Sequence, residues 1–172
     1  MPRWTAHRPE SETRAVAEPT PNLEDLDFSD VTPDDFAALV KQSSAAQLDE
    51  LMRGELRQRV LAEIFSRMGR QFRPDNAGSL RAVIRWEVTG RAGEPLAVYD
   101  ATIADGTCRV TPGPTDATPR VTLALSDADF LRLVSGNASP VLMFMTRKLK
   151  ATGDIALASG LARLFDIPRN RN

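Results

Sequence analysis

The stretch Pro140–Phe165, PVLMFMTRKLKATGDIALASGLARLF, decides how this chain is read. It begins with six apolar residues, Pro140 to Met145, and continues through a short basic segment, a Gly153-Asp154 break and a second apolar helix. Two of the six are Met, the most deformable apolar side chain. A run with no polar face is expected to need apolar neighbours on both sides. Those neighbours are core throughout, or core on one side and an oily ligand on the other.

Working outward from that stretch, Ser126 is placed to cap a helix carrying Phe130, Leu133 and Val134 inward, with Asp129 at the capping-box position and Gly136 closing it. Ser139-Pro140 begins the next short helix, and Arg147 to Ala151 reads as a strand. Asp154 caps a last helix with Ile155, Leu157, Leu161, Leu164 and Phe165 inward, stopped by Pro168. Further upstream the period changes after Gly78. In LRAVIRWEV, Leu80, Ala82, Ile84, Trp86 and Val88 point one way and Arg81, Arg85 and Glu87 the other, which predicts a half-buried strand. Strands follow at Leu96–Ala104, Thr107–Thr111 and Pro119–Leu125, the first two joined by the turn Asp105-Gly106.

The N-terminal half is helical. Thr32 as N-cap, Pro33 and Asp34-Asp35 open one helix, and Ser43 or Ser44 caps a second, which Gly54 weakens or bends. From Glu55 the stripe Leu56, Val60, Leu61, Ile64, Phe65, Met68 and Phe72 has helical spacing and should end before Pro74, with Arg67, Arg70 and Arg73 at the negative end of the dipole. Residues 1–31 carry four prolines and no period, and read as a loosely attached acidic leader in which Leu23, Leu26 and Phe28 form at most a small patch. Residues 32–168 then form the domain and 169–172 a tail. Helices, an antiparallel meander, and helices around one more strand make an α+β fold, a five-stranded mainly antiparallel sheet covered by helices.

Composition narrows the function. The 172 residues are 42% hydrophobic and 26% charged, which suits a globular domain with a real core. No apolar run approaches the ~18 residues of a membrane span. The first thirty residues hold no hydrophobic signal region, and the lone Cys108 fits a reducing cytoplasm. Arg outnumbers Lys 19 to 3, as in a GC-rich genome. The net charge of −1 argues against a nucleic-acid surface. The leader holds three arginines against seven acids, leaving +3 for residues 32–172, an excess that admits transient contact with anionic membranes and is too small to argue for it.

The only histidine, His7, lies in the leader, so a His-centred triad and a multi-His metal site are not expected in the domain. No phosphate-binding glycine loop or zinc spacing is present. The pairs Asp34-Asp35 and Asp127/Asp129 are explained by helix capping, and Asp100 in its strand is expected to face solvent. These readings point to no enzyme and no cofactor.

The phrase FMTRKLKATGD with the apolar helix ending Leu164-Phe165 resembles the end of the sterol carrier protein 2 (SCP2)-like lipid-binding domains. The turn after the long helix, the hairpin Asp105-Gly106-Thr107-Cys108 and FLRLVSGNASPV extend the resemblance over roughly Leu48 to Phe165. It implies a bacterial single-domain member, cytoplasmic and non-catalytic, whose sheet and helices enclose an apolar tunnel for a sterol, fatty acyl chain or other lipid. Carried over, Phe130, Leu133 and Val134 line one wall, Leu142, Phe144 and Met145 a second, and Ile155, Leu161 and Phe165 a movable C-terminal wall. Ile84 and Trp86 are either sheet floor or plain core. Arg147 replaces the usual Gly of the phrase and is either a head-group contact or a solvated strand-end arginine. The alternative is an accessory or assembly module, recruiting a protein partner through residues 1–31 or presenting a lipid-like substrate to a separate enzyme.

Overall fold

The computed structural model describes residues 27–167. Helix α1 (Pro33–Gln42) starts where Thr32 Oγ1 accepts the Asp35 N–H at 3.2 Å. Helix α2 (Ala45–Leu51) starts from a full capping box, Ser44 and Gln47 each accepting the other's backbone N–H. Gly54, at φ +52°, breaks the path and opens α3 (Gly54–Arg70), which buries Val60, Leu61, Phe65 and Met68. Pro74 then sits at the first turn of the short α4 (Pro74–Ala77).

Five strands follow: β1 (Ala82–Thr89), β2 (Ala97–Ala104), β3 (Thr107–Pro112), β4 (Val121–Ser126) and β5 (Lys150–Gly153). Their order is β3-β2-β1-β4-β5. The β1–β2, β2–β3 and β4–β5 pairs are antiparallel, but β4 runs parallel to β1. The expected four-strand meander is therefore corrected to a mixed sheet. The reason is the loop 113–120, which carries the chain back across two strands instead of turning it beside β3. Along the way the Gly113 N–H donates to the Val98 carbonyl at 2.7 Å, and the Arg120 N–H donates to the Val83 carbonyl at 2.8 Å.

Beneath this loop lies Asp100, fully buried. Its carboxylate takes bonds from Arg85 Nε and Nη2 at 2.8 and 2.9 Å and from the Thr115 N–H and hydroxyl, both at 2.8 Å. The expected solvent-facing position is corrected, because the crossing loop covers that face. A second correction concerns Asp127. It stands at the start of α5 (Asp127–Val134), but Ser126 does the capping, while Asp127 is buried against Arg57 of α3.

The opposite sheet face carries the core. Trp86 of β1 and Tyr99 of β2 meet Phe65 of α3, whose ring stacks on Tyr99 at 4.0 Å and on Phe130 of α5 at 5.1 Å. The C-terminal part comprises α6 (Pro140–Met145), α7 (Ile155–Ser159) and α8 (Leu161–Leu164). The single last helix expected from the sequence is split at Gly160, whose N–H closes α7 on the Ala156 and Leu157 carbonyls. Gly153, at φ +107°, admits no side chain, since a Cβ there would meet the Arg120 carbonyl oxygen at 2.4 Å. No described helix is long and apolar enough to cross a membrane.

Candidate functional site

The helical face of the sheet does not close completely on itself. A hollow of about 60 Å³ remains between α3, α5, β1 and the C-terminal segment. From α3 come Val60, Ile64 and Met68; from β1, Trp86; from α5, Leu133 and Val134. Pro140 at the start of α6, Leu161 of α8, Phe165 and Ile167 complete the inner side. The outer side is made by Phe28, Val31, Pro33 and Phe36. Helical spacing on α3 puts Val60, Ile64 and Met68 on one row, with Glu63 and Arg67 on the adjoining row.

The lining is apolar except along that second row. Glu63 and Arg67 form an ion pair at 2.7 Å, their side chains 27% and 19% exposed, with Gln71 one turn further on. Trp86 is the one strand residue in the lining; its Nε1–H has no hydrogen-bond partner among the described residues, and its ring stands edge-on to Phe65 and Phe130. The C-terminal wall is tied down through backbone. The Arg73 N–H donates to the Leu164 carbonyl and the Asp166 N–H to the Gln71 carbonyl, each at 2.7 Å. Asn76 adds a side-chain bond to the Arg163 carbonyl, and Phe72 leans on Phe165.

Of the residues singled out from the sequence, Trp86, Leu133, Val134, Leu161 and Phe165 come together in this lining. Ile84 and Phe130 are fully buried behind it as core. Leu142, Phe144, Met145 and Ile155 stand at the surface, 40–72% exposed, and do not line the hollow. The apolar run 140–145 therefore does not find neighbours on both sides: Met143 alone is buried, and Val141, Leu142, Phe144 and Met145 face outward. Arg147 is exposed and does not line the hollow either. It sits at φ +61°, in the left-handed position that ends α6, with its own N–H on the Phe144 carbonyl and the Lys148 N–H on that of Met143.

Sequence reasoning missed the outer side of the hollow. Phe28 and Val31 fall in the segment read as leader, and Leu23 and Leu26, named with Phe28, lie outside the described residues. Arg67 was read only as a helix-end charge; the i, i+4 spacing Glu63–Arg67 was the available signal. Cys108 is half-buried, and burial pushes its thiol up to about 11, so it is not a thiolate near neutral pH. No group of three or more His, Cys, Asp or Glu among the described residues is placed to hold a metal ion.

Comparison with known proteins adds the following. The SCP-2 sterol transfer family matches residues 64–166. Over 133 residues the chain is 28% identical to the peroxisomal multifunctional enzyme type 2 of Mus musculus, a match that takes in 76% of this chain and 18% of that protein. The chain thus spans less than a fifth of that relative's length. The stereoselective inverting sec-alkylsulfatase Pisa1 from Pseudomonas sp. superposes with a TM-score of 0.52 at 14% identity, over 62% of this chain and 16% of that one. Sterol Carrier Protein 2 from Yarrowia lipolytica, in its apo form, gives 0.44 at 20% identity, over 79% and 94%. The likeness to Pisa1 is one of fold.

Proposed function

The chain belongs to the SCP-2 sterol transfer family, and on that premise we propose that it binds an apolar lipid, without chemistry, in the hollow between α3, α5 and the C-terminal segment, and exchanges it with membranes. The observation that carries the reading is a hollow with a largely apolar lining set beside the buried hydrophobic core. Residues Trp86, Leu133, Val134, Leu161 and Phe165 are its lipid contacts, joined by Val60, Ile64 and Met68 and, from the outer side, by Phe28 and Val31. The lipid-binding unit therefore includes residues 28–31.

The energetics suit a carrier. Each methylene removed from water gains ~0.8 kcal/mol, whether a pocket or a bilayer receives it, so a pocket need only match the membrane to exchange lipid. Selectivity then falls to polar contacts. The exposed apolar face of α6 and α7, with Val141, Leu142, Phe144, Met145 and Ile155, is the surface we assign to the membrane. Arg147, Lys148 and Lys150 border it, all exposed, a basic edge complementary to anionic head groups. Pro140 links this face to the hollow, because α6 begins in the lining and continues into the patch.

The test is native mass spectrometry and solvent extraction of the protein purified without detergent. A stoichiometric apolar lipid is expected; a protein that is empty on repetition and takes up no added fatty acid or sterol would refute the reading.

A further inference from the structure

Which lipids suit the hollow is decided on its inner side, and the inference here rests on the lipid-binding reading. There Val60, Ile64, Met68, Leu133, Leu161 and Phe165 offer only apolar surface, whereas the polar lining residues Glu63, Arg67 and Gln71 follow the second row of α3. Trp86 stands among the apolar residues and brings a donor with it. It is 3% exposed, and its Nε1–H is buried without a hydrogen-bond partner among the described residues. A buried tryptophan N–H usually has a partner, and one left unpaired loses its hydration with nothing in return. Phenylalanine would fill a similar place without that loss.

The indole is not free to turn toward water. The central strand of the sheet is β1, so Trp86 is held in register with Tyr99 of β2 on one side and Leu123 of β4 on the other. Its ring stands against Phe65 at 6.2 Å and 66° and against Phe130 at 5.8 Å and 68°. A single water is a poor partner as well. The hollow of about 60 Å³ has room for one, but a buried water needs two to four polar contacts and the inner side chains supply one donor. A lipid oxygen needs only that donor, because apolar surface satisfies the rest of the molecule.

We propose that Trp86 sets specificity by donating its Nε1–H to a carbonyl oxygen, of a ketone or an ester, carried within the buried part of the lipid. Three physical limits narrow the class. The oxygen is neutral, because the only cation in the lining, Arg67, lies on the outer row and is paired with Glu63, and an unpaired buried charge is too unfavourable. It is an acceptor, because an indole only donates. It carries no proton, because the inner side chains hold no oxygen or nitrogen to receive one, and a buried hydroxyl would leave its O–H unpaired. A methylene at the same point leaves the indole N–H unpaired. The hollow therefore prefers a carbonyl there to either a hydroxyl or a methylene.

The experiment compares palmitic acid with its oxo and hydroxy derivatives, substituted at successive chain positions, by calorimetry on the full chain and on Trp86→Phe. At one position, Trp86→Phe should weaken binding of the oxo acid about fivefold more than it weakens binding of palmitate, and should weaken the matching hydroxy acid less than the oxo acid. In the Trp4→Phe protein labelled with nitrogen-15, the indole N–H resonance of Trp86 with the favoured oxo acid should lie downfield of its position with palmitate. This readout leaves Trp86 in place and decides the matter if Trp86→Phe does not fold. The proposal is overturned, and the lipid-binding reading left intact, by an indole signal at the same position with both acids, as for an N–H held on the face of the Phe65 or Phe130 ring. It is equally overturned by a loss that is the same for oxo acid and palmitate at every position, or by a hydroxy acid favoured over the oxo acid. Failure of all these acids to bind overturns the lipid-binding reading, and this one with it.

Discussion

Arg57 and Asp127, seventy residues apart in sequence and each 2% exposed, form a buried ion pair that joins α3 to α5. Both carboxylate oxygens accept from Arg57 at 3.0–3.1 Å, and the remaining guanidinium donors go to the Pro95 carbonyl at 2.9 Å and the Val88 carbonyl at 3.0 Å. One side chain thus ties together the two helices that flank the hollow and both ends of the β1–β2 loop. Asp127→Ala leaves a buried cation with a lost partner and should cost about 3–5 kcal/mol in urea unfolding. The double variant Arg57→Met, Asp127→Leu should lose less than that, because no uncompensated charge remains. A loss under 1 kcal/mol for Asp127→Ala would contradict this account of the pair.

Asp100 gives the fold an acid sensitivity. Burial alone would raise its carboxyl, but the bonds from Arg85 and Thr115 outweigh burial and hold it below the usual carboxylate range. A depressed folded-state value means that the stabilisation is complete above the unfolded value near ~4 and is lost as pH falls through the folded one. Melting temperature should therefore drop steeply below about pH 4 in the wild type. Asp100→Asn should be less stable near neutrality and flatter in that acid range. Parallel acid profiles for the two proteins would contradict this.

The left-handed Arg147 predicts a stabilising substitution. Its position at the end of α6 is one that glycine occupies without a Cβ penalty, and the two capping bonds there are made by backbone alone. Arg147→Gly should raise stability by roughly 0.5–1 kcal/mol in thermal or urea unfolding. A loss of stability would show that the guanidinium makes a compensating contact.

The outward face of α6 predicts a separation of functions. Leu142→Asp with Met145→Asp places two charges on a surface that is already solvated, so the fold should hold. Sedimentation with vesicles containing anionic lipid should fall severalfold, while affinity for laurate in solution stays within about twofold of wild type. Unchanged vesicle binding would remove α6 from the membrane surface.

What the sequence made legible is what short-range chemistry determines. The Thr32, Ser44, Ser126 and Asp154 caps are all found in the structure, because a cap is settled within three residues. Asp105-Gly106 turns as expected, with both residues at positive φ. The parallel β4 was not legible, since its partner is chosen by a loop crossing two strands. Asp100 and Asp127 were misjudged for the same reason: their partners, Arg85 and Arg57, are brought by tertiary structure. At the site, periodicity identified the apolar faces of α3 and α5 but misplaced Ile155 of α7, which is exposed, and it does not distinguish a side chain beside a hollow, such as Val134, from one behind it, such as Phe130. The exposure of Leu142 and Met145 also escaped notice, because an unbroken apolar run carries no sign of which side meets water.

The central claim, that a lipid tail lies inside the hollow, is tested most directly at Trp86. In a Trp4→Phe variant Trp86 is the sole tryptophan, and it lines the hollow while 3% exposed. Its fluorescence should be quenched by a bromine-labelled fatty acid, saturably and at one equivalent, and an unlabelled acid of the same length should reverse the quenching. Fluorescence that is indifferent to the brominated chain, or that declines without saturation, would contradict the account.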